Sequence, residues 1–391
     1  MFYKSTLMTH LQFIFKKNFS FISGIIAILH YNLIMLHLSS CFFKIKKTKP
    51  INCTVDLIIF IIGIIISIYW LLNFKGKLKD ALIYANLLGM IGIYIKYIVK
   101  GFLLKIIQNI LIGISCSILT YSIPMYLFFT QSKMLKTFLF CQINSWGFFF
   151  LYFLNIFYYS MLDQRPYTIS STLQLIIYCL GIIFFIYGPN VSIPCPVGEG
   201  STTIELNRHQ ILDISYMALL SFCIGFNNVL EFCFIILPKL SGTTGNQSIA
   251  RIAFKLMLYS LFGGIIRWGY LKFINERILF KIGAGIFIFL TIILFITNNY
   301  GLRILCFQMI FLTNIICLTP LAFDIFCFHA SFHLIPKISI IHSTTLLLGF
   351  VFFIFLLENN TLCIDDRLNI IFIIPIITLG LYTIKNTHKY N

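Results

Sequence analysis

The sequence predicts an all-α integral membrane protein, with about twelve transmembrane helices in two six-helix bundles. Three observations lead there. Of 391 residues, 59% are hydrophobic and only 10% charged, with a mean hydropathy of +0.94, against about 45–50% apolar and about 25% charged in soluble domains. Apolar runs of helical length recur along the whole chain. One polar stretch, rich in Pro and Gly, divides those runs six and six. An excess of apolar residues on this scale has no single soluble core to enter, because such cores stop growing at about 250–300 residues. Soluble enzymes, disulfide-stapled secreted domains and disordered chains are thereby excluded.

Each span in turn needs about 20 apolar residues. The runs fall near residues 19–41, 55–73, 80–99, 103–129, 136–158 and 168–187, then 213–237, 250–270, 280–298, 303–328, 336–357 and 368–384. Their lengths are helical, since a membrane β-strand needs only about 9–11 alternating residues. The first run has no small-residue cleavage site after it and reads as a retained helix. The tenth contains Pro320, near which it is expected to unwind. The dividing stretch from Pro189 to Asp213 carries Pro194, Pro196, Gly198 and Gly200. The expected organisation is an N-terminal bundle over 1–190, a short cytoplasmic linker over 191–212 and a C-terminal bundle over 213–391.

Lys and Arg number 29 against 12 Asp and Glu, a net charge of +17. The basic residues stand in ones to threes between apolar runs, which suits juxtamembrane contact with phosphate headgroups rather than nucleic acid. An even number of spans puts both termini on one side. Lys75, Lys77 and Lys79, then Lys133 and Lys136, then Lys272, Arg277 and Lys281, and the tail with Lys385 and Lys389 share that side. The positive-inside rule makes it cytoplasmic, although Lys44, Lys46, Lys47 and Lys49 then fall outside. Twelve Cys show no metal-ligand spacing, and Cys116, Cys179, Cys223 and Cys317 lie inside apolar runs, where Cys acts as a small hydrophobe. Neither a metal nor another cofactor is expected. Sequons at Asn52, Asn246 and Asn359 fall in outside loops, in a chain rich enough in Asn to produce them by chance.

From Gly113 to Gly147 the chain reads "GISCSILTYSIPMYLFFTQSKMLKTFLFCQINSWG". Pro124, Tyr126 and Lys136 there follow a P-x-Y-x-x-E, S-P, R-G pattern after a Gly-spaced helix, with Phe129 in the Glu position and Ser132 in the second Pro position. Tyr31-Asn32 fits G-Y-D or G-Y-N, and "NFKGKLK" from Asn73 to Lys79 fits D-R-x-G-R-R, keeping Gly76 and Lys77. Gln174 precedes Pro189 by 15 residues, Gly225-Phe226-Asn227 fits G-I-N, and "KFINERILFKIG" from Lys272 to Gly283 fits a second D-R-x-G-R-R-x-L-x-x-x-G, keeping Arg277, Leu279 and Gly283. In these features the chain resembles the sugar porter family of the major facilitator superfamily, the fold of the facilitative glucose transporters. The two D-R-x-G-R-R-like loops begin at Asn73 and Lys272, 199 residues apart, and Pro124 and Phe323 are separated by the same interval. That spacing suits two halves related by an axis along the membrane normal.

The resemblance implies alternating access, in which cytoplasmic ties between the halves form and break as one bundle rocks on the other. Here Asn73, Phe129, Lys272 and Phe328 stand where such ties use acids, and Asn109 where one uses Arg. Gly76, Lys77, Pro124, Tyr126, Lys136, Glu276 and Arg277 remain of the gating motifs, so the inner lock is expected to be weaker and to lean on apolar packing. For the solute the resemblance implies a cavity containing Asn227, Gln142, Asn32 and the aromatic Phe323. Sugar hydroxyls leaving water need such amide partners and an aromatic face. Cys141, Ser221, Phe222 and Ser260 occupy positions where the family carries further donors. The plainer account of Asn227, Asn228, Gln142 and Asn144 is interhelical hydrogen bonding.

Glu231 adds an ionisable group within the seventh span, which is functional by default in a membrane and would bind a proton, a cation or a polar group. Asp324 is a lesser case, and Asp56 is expected at an interface. Asn32 is a neutral amide where proton-coupled relatives carry Asp, so facilitative uniport is favoured over proton symport. His30 and His37 are expected to pack in the interior. The sequence-level expectation is a monomeric, plasma-membrane carrier, not an enzyme, whose partners are the lipid bilayer and a small solute, expected to be a sugar. Three alternatives stand beside it: another solute such as a nucleoside, amino acid or organic cation; a receptor or sensor that kept the fold; and a lipid-linked transferase. The last would need a loop site at the membrane face, for which Asp365-Asp366-Arg367 and His342-Ser343-Thr344 are the candidates.

Overall fold

The computed structural model describes residues 51–74, 76–98, 101–130, 166–188, 276–297, 299–313, 316–317 and 335–358, with individual positions within 22–30, 211–222 and 255–270. Seven long helices lie in these segments: α1 (Ile51–Asn73), α2 (Leu78–Ile98), α3 (Phe102–Thr130), α4 (Pro166–Tyr187), α5 (Glu276–Ile296), α6 (Tyr300–Thr313) and α7 (Ile335–Glu358). They match the second, third, fourth, sixth, ninth, tenth and eleventh expected spans. Among them α1, α2 and α3 contain stretches long and apolar enough to cross a membrane.

Local chemistry sets the helix ends. Pro166 and Pro336 stand in the first turns of α4 and α7, where a missing N–H costs nothing. The Lys77 carbonyl accepts from the amides of Asp80 and Ala81 to start α2, and the Asp80 carboxylate in the first turn suits the positive end of that helix. Between α5 and α6, Asn299 Oδ1 accepts from the amides of Gly301 at 3.0 Å and Leu302 at 3.3 Å, which makes Asn299 the cap of α6. The tenth span was expected over 303–328. Of that span the described residues form an α-helix over Tyr300–Thr313 and a π turn at Ile316 and Cys317.

The faces of α1 depart from the pattern of a soluble helix, because both are apolar. Ile58, Ile62, Ile65, Tyr69 and Leu72 recur every three or four residues and are exposed, while Asp56, Ser67 and Gly63 face inward with Leu57, Phe60 and Ile64. Ile278, Ile282, Ile286, Phe289 and Ile292 form the same outward stripe on α5. An apolar stripe of this length would be a liability in water, whereas hydrocarbon solvates it. With apolar solvent outside, association depends on close packing and interior hydrogen bonds.

The core joins α2 to α3 and α4, and α1 to α3. Where α1 crosses α3 the backbones nearly touch: a Cβ on Gly63 would stand 2.5 Å from the Ile110 carbonyl oxygen, and one on Gly113 equally close to that of Phe60. Only glycine permits that approach. From the second half of the chain, α7 packs on both α1 and α3.

Candidate functional site

Four of the motif residues named from sequence are described in full. Gly76 makes the bend between α1 and α2, with the Phe74 ring folded over it so that a Cβ there would meet the ring. Lys77 is exposed, its backbone opening α2. Pro124 lies inside α3 and Tyr126 is fully buried, its ring edge-on to Phe185 at 5.6 Å and its hydroxyl beside Gly188. Lys79 Nζ donates to the Gly188 carbonyl at 3.5 Å, so the Gly76 loop is held at the end of α4. Glu276 and Arg277 are the first two residues of α5, their side chains outside the described set. Lys136, Asn32, Gln142, Asn227, Glu231 and Phe323 lie outside the described residues.

One helix from the second half of the chain shares the core of the first. Ile340 of α7 belongs to one apolar cluster with Leu71 of α1, Leu78 of α2 and Tyr121, Ile123 and Tyr126 of α3. The contact is apolar in character.

Among the described residues, four polar groupings stand out within the helices. In the first half, His30 is fully buried and edge-on to Tyr178 and Phe185, with Nδ1 bonded to the Ile26 carbonyl at 2.7 Å. Asn86 beside it donates to the Leu82 carbonyl at 2.6 Å, and Ser115 donates to the Ala85 carbonyl at 2.7 Å, with the Tyr178 hydroxyl 3.5 Å away. Asp56 is buried against the start of α3, 2.7 Å from Lys105 Nζ and accepting from Asn109 Nδ2 at 3.0 Å. In the second half, Ser221 Oγ and His342 Nδ1 are 2.6 Å apart and both buried. Nearby on the same two elements, the rings of Phe222 and Phe352 pack at 5.8 Å. Arg267 is completely buried and donates from Nη1 to the Ile316 carbonyl at 3.2 Å.

Several of these differ from the sequence reading. His342 was a candidate for a loop at the membrane face. It lies in the interior of α7, facing the seventh span, well inside a helix that begins at Ile335. That removes one of the two footholds of the transferase alternative. Asp56, set aside as interfacial, is paired. Arg267 was missed entirely. Its signal was present as an arginine within the eighth apolar run, the kind of residue that membranes place inside only with partners. His30 is interior, as expected. Cys116, Cys306 and Cys317 are buried free thiols, and no group of three or more metal-ligating side chains occurs among the described residues.

No family model matches the chain, and no curated protein matches it in sequence. Solved structures do match in fold. A major facilitator superfamily transporter, FucP, in the outward conformation, superposes with a TM-score of 0.70 at 13% identity, covering 93% of this chain and 98% of that one. The proton:xylose symporter XylE bound to 6-bromo-6-deoxy-D-glucose gives 0.71 at 15% identity, covering 95% and 96%. The human organic anion transporter MFSD10 gives 0.63 at 10% identity, covering 93% and 98%. Over that share of its length the chain has the fold of these major facilitator superfamily structures, an all-α architecture.

Proposed function

We propose that the chain is a membrane carrier that moves a sugar, or a similar small polar solute, by alternating access and without proton coupling. The observation that carries this reading is the apolar junction of the halves at Ile340, Leu71, Leu78 and Tyr126, in a fold shared with FucP and XylE. A carrier needs one end of the two-bundle assembly closed while the other opens. On this reading the end that bears the Gly76 loop is the cytoplasmic one, as its basic residues favour.

An apolar junction also suits a chain in which Asn73 and Phe129 stand where acidic ties are expected. The solute cavity on this reading holds Asn227, Gln142, Asn32 and Phe323, with Glu231 nearby. Asn32 has no proton to give, which favours uniport. The carrier works as a monomer in the plasma membrane with both termini inside, an N-terminal bundle over 1–190, a linker over 191–212 and a C-terminal bundle over 213–391.

Labelled-hexose uptake tests the reading, with and without a protonophore, in cells lacking their own hexose carriers and with surface expression verified. Saturable uptake that ignores the protonophore and is lost in Asn227→Ala is the expected result. Uptake that collapses with the proton gradient moves the mechanism to Glu231. No uptake from a protein that reaches the surface overturns the sugar assignment in favour of another solute or a receptor. Glu276→Gln with Arg277→Gln tests the surviving motif pair: unchanged transport would remove it from gating.

A further inference from the structure

Both ring nitrogens of His30 face oxygen. Nδ1 lies 2.7 Å from the Ile26 carbonyl of the same span. The other nitrogen, Nε2, meets the side-chain oxygen of Asn86, and the two atoms crowd one point above Gly181 of α4. The Ile177 carbonyl of α4 is a further acceptor beside the ring. Asn86 cannot relieve this by turning its amide over. Its Nδ2 donates to the Leu82 carbonyl at 2.6 Å, and the reversed amide would set two oxygens together there. Neither His30 Nε2 nor Asn86 Oδ1 has a hydrogen-bond partner among the described residues, and both residues are fully buried.

A neutral imidazole has one N–H and one lone pair. With the hydrogen on Nδ1 the lone pair opposes Asn86; with it on Nε2 the lone pair opposes the Ile26 carbonyl. Each neutral form leaves one acceptor facing another, and only the doubly protonated ring donates on both sides. We propose that His30 is a proton-binding site whose imidazolium ties the first span to α2 through Asn86, and that Asn86 sets how readily the site fills. Taking a charge out of water is costly, and charge-assisted bonds to the surrounding oxygens work against that cost. The titratable groups around the ring are Tyr178 of α4, edge-on at 6.2 Å, and behind it Cys116 of α3. Phe185 of α4 closes another side at 5.6 Å, and α2 presents only the amide of Asn86. Among the described residues no Asp, Glu, Lys or Arg faces the ring, so proton affinity rests on neutral acceptors. All the elements around it belong to the first half of the chain. A proton bound there tightens that half and is not the ion carried across.

Thermal unfolding of the full chain in detergent, at about pH 8 and about pH 5, tests the site. If the ring gains its proton in the folded protein, Asn86 matters more in acid. Asn86→Leu is then expected to lower the midpoint at the lower pH by roughly 2 °C or more beyond its loss at the higher one. In a His30→Phe background that difference should vanish, because no ring is left to donate. A loss equal at both pH values overturns the proposal and gives the donor role to a water molecule, which serves the pair at any pH. A pH dependence that survives His30→Phe overturns it as well, since another group then titrates. Asn86→Asp covers the case in which the Leu variant does not accumulate. A carboxylate against Nε2 is expected to strengthen proton binding about tenfold, which moves the titration of the 15N-labelled His30 ring up by about one pH unit. An unmoved midpoint counts against the site. None of these measurements uses a solute. If the pH dependence is found while hexose uptake is absent, the carrier reading fails and the proton site does not.

Discussion

His30 and Asn86 bring two hydrogen-bond acceptors together over Gly181. The Ile26 carbonyl accepts from Nδ1 of His30, which fixes the proton of a neutral ring there and leaves Nε2 as a lone pair. Asn86 spends its amide donor on the Leu82 carbonyl. Neither His30 Nε2 nor Asn86 Oδ1 has a hydrogen-bond partner among the described residues. Both atoms crowd the position a side chain would take at residue 181, where a Cβ would stand 2.6 Å from Asn86 Oδ1 and closer still to His30 Nε2. Gly181→Ala therefore forces the first, third and sixth spans apart or the imidazole aside. Overpacking of this kind costs about 1–3 kcal/mol. A lowered midpoint of thermal unfolding in detergent is expected, with partial recovery when His30→Ala is added. Additive losses in the double variant would show that the clash with His30 is not the cause.

A second consequence of close packing concerns α1 and α3. The Gly63–Gly113 crossing admits no side chain without moving backbone, because the first atoms met are the carbonyl oxygens of Ile110 and Phe60. Gly63→Val and Gly113→Val are expected to be more damaging than Gly285→Val. A Cβ on Gly285 of α5 meets nothing within 4 Å, and Val suits a lipid-facing position. Yield of monodisperse protein after detergent extraction separates the three. Equal yields would mean that α1 and α3 can part without cost.

The spans were legible because each is a run of apolar residues interrupted by Lys, Asn or Pro, and hydrocarbon demands that length. Ile51–Asn73, Leu78–Ile98 and Ile335–Glu358 match the expected second, third and eleventh spans within a few residues. Which face of each helix meets a neighbour was far less legible. On α1, Ile58 and Ile62 face outward while Leu57 and Phe60 face inward, so hydrophobicity alone marks neither side. The distinguishing marks are Gly63, Ser67 and Asp56, small or polar residues on an apolar rod. The interior contacts Ser221–His342 and Arg267–Ile316 join residues 121 and 49 positions apart, and no local pattern announces such a pair. The resemblance singled out Gly76, Pro124 and Tyr126, but not Arg267 or an interior role for His342.

Asp56 illustrates the unequal cost of removing one partner or the other. Its carboxylate is buried and accepts from Asn109, whereas the side chain of Lys105 is 40% exposed. Removing Lys105 as Met leaves the acid with an amide donor and with water near the end of α1, and an exposed partner of this kind is worth about 0–1 kcal/mol. Replacing Asp56 by Ala strands Asn109 and empties the site, which costs about 1–3 kcal/mol for a buried group left without its partner. Thermal unfolding at low and high salt is expected to show a small, salt-sensitive loss for Lys105→Met and a larger, salt-insensitive loss for Asp56→Ala. The reverse order would identify Lys105, rather than the acid, as the group that holds α1 to α3.

Ser221 and His342 offer a test of how the second half is held together. At 2.6 Å, with both groups buried, the bond ties the seventh span to α7, the same helix whose Ile340 packs into the core of the first half. Hydrogen bonds between membrane helices are worth about 0.6–2 kcal/mol. Ser221→Ala, His342→Phe and the combined variant form a cycle in which the double change should cost less than the two single changes added, by about that amount. If the halves rock as units, loosening α7 from the seventh span also weakens the closed junction. In a hexose-uptake assay the single variants are then expected to change the rate of turnover more than the half-saturating concentration. A change confined to half-saturation would instead put Ser221 and His342 against the solute, and strict additivity of the stabilities would deny that the bond couples the two spans.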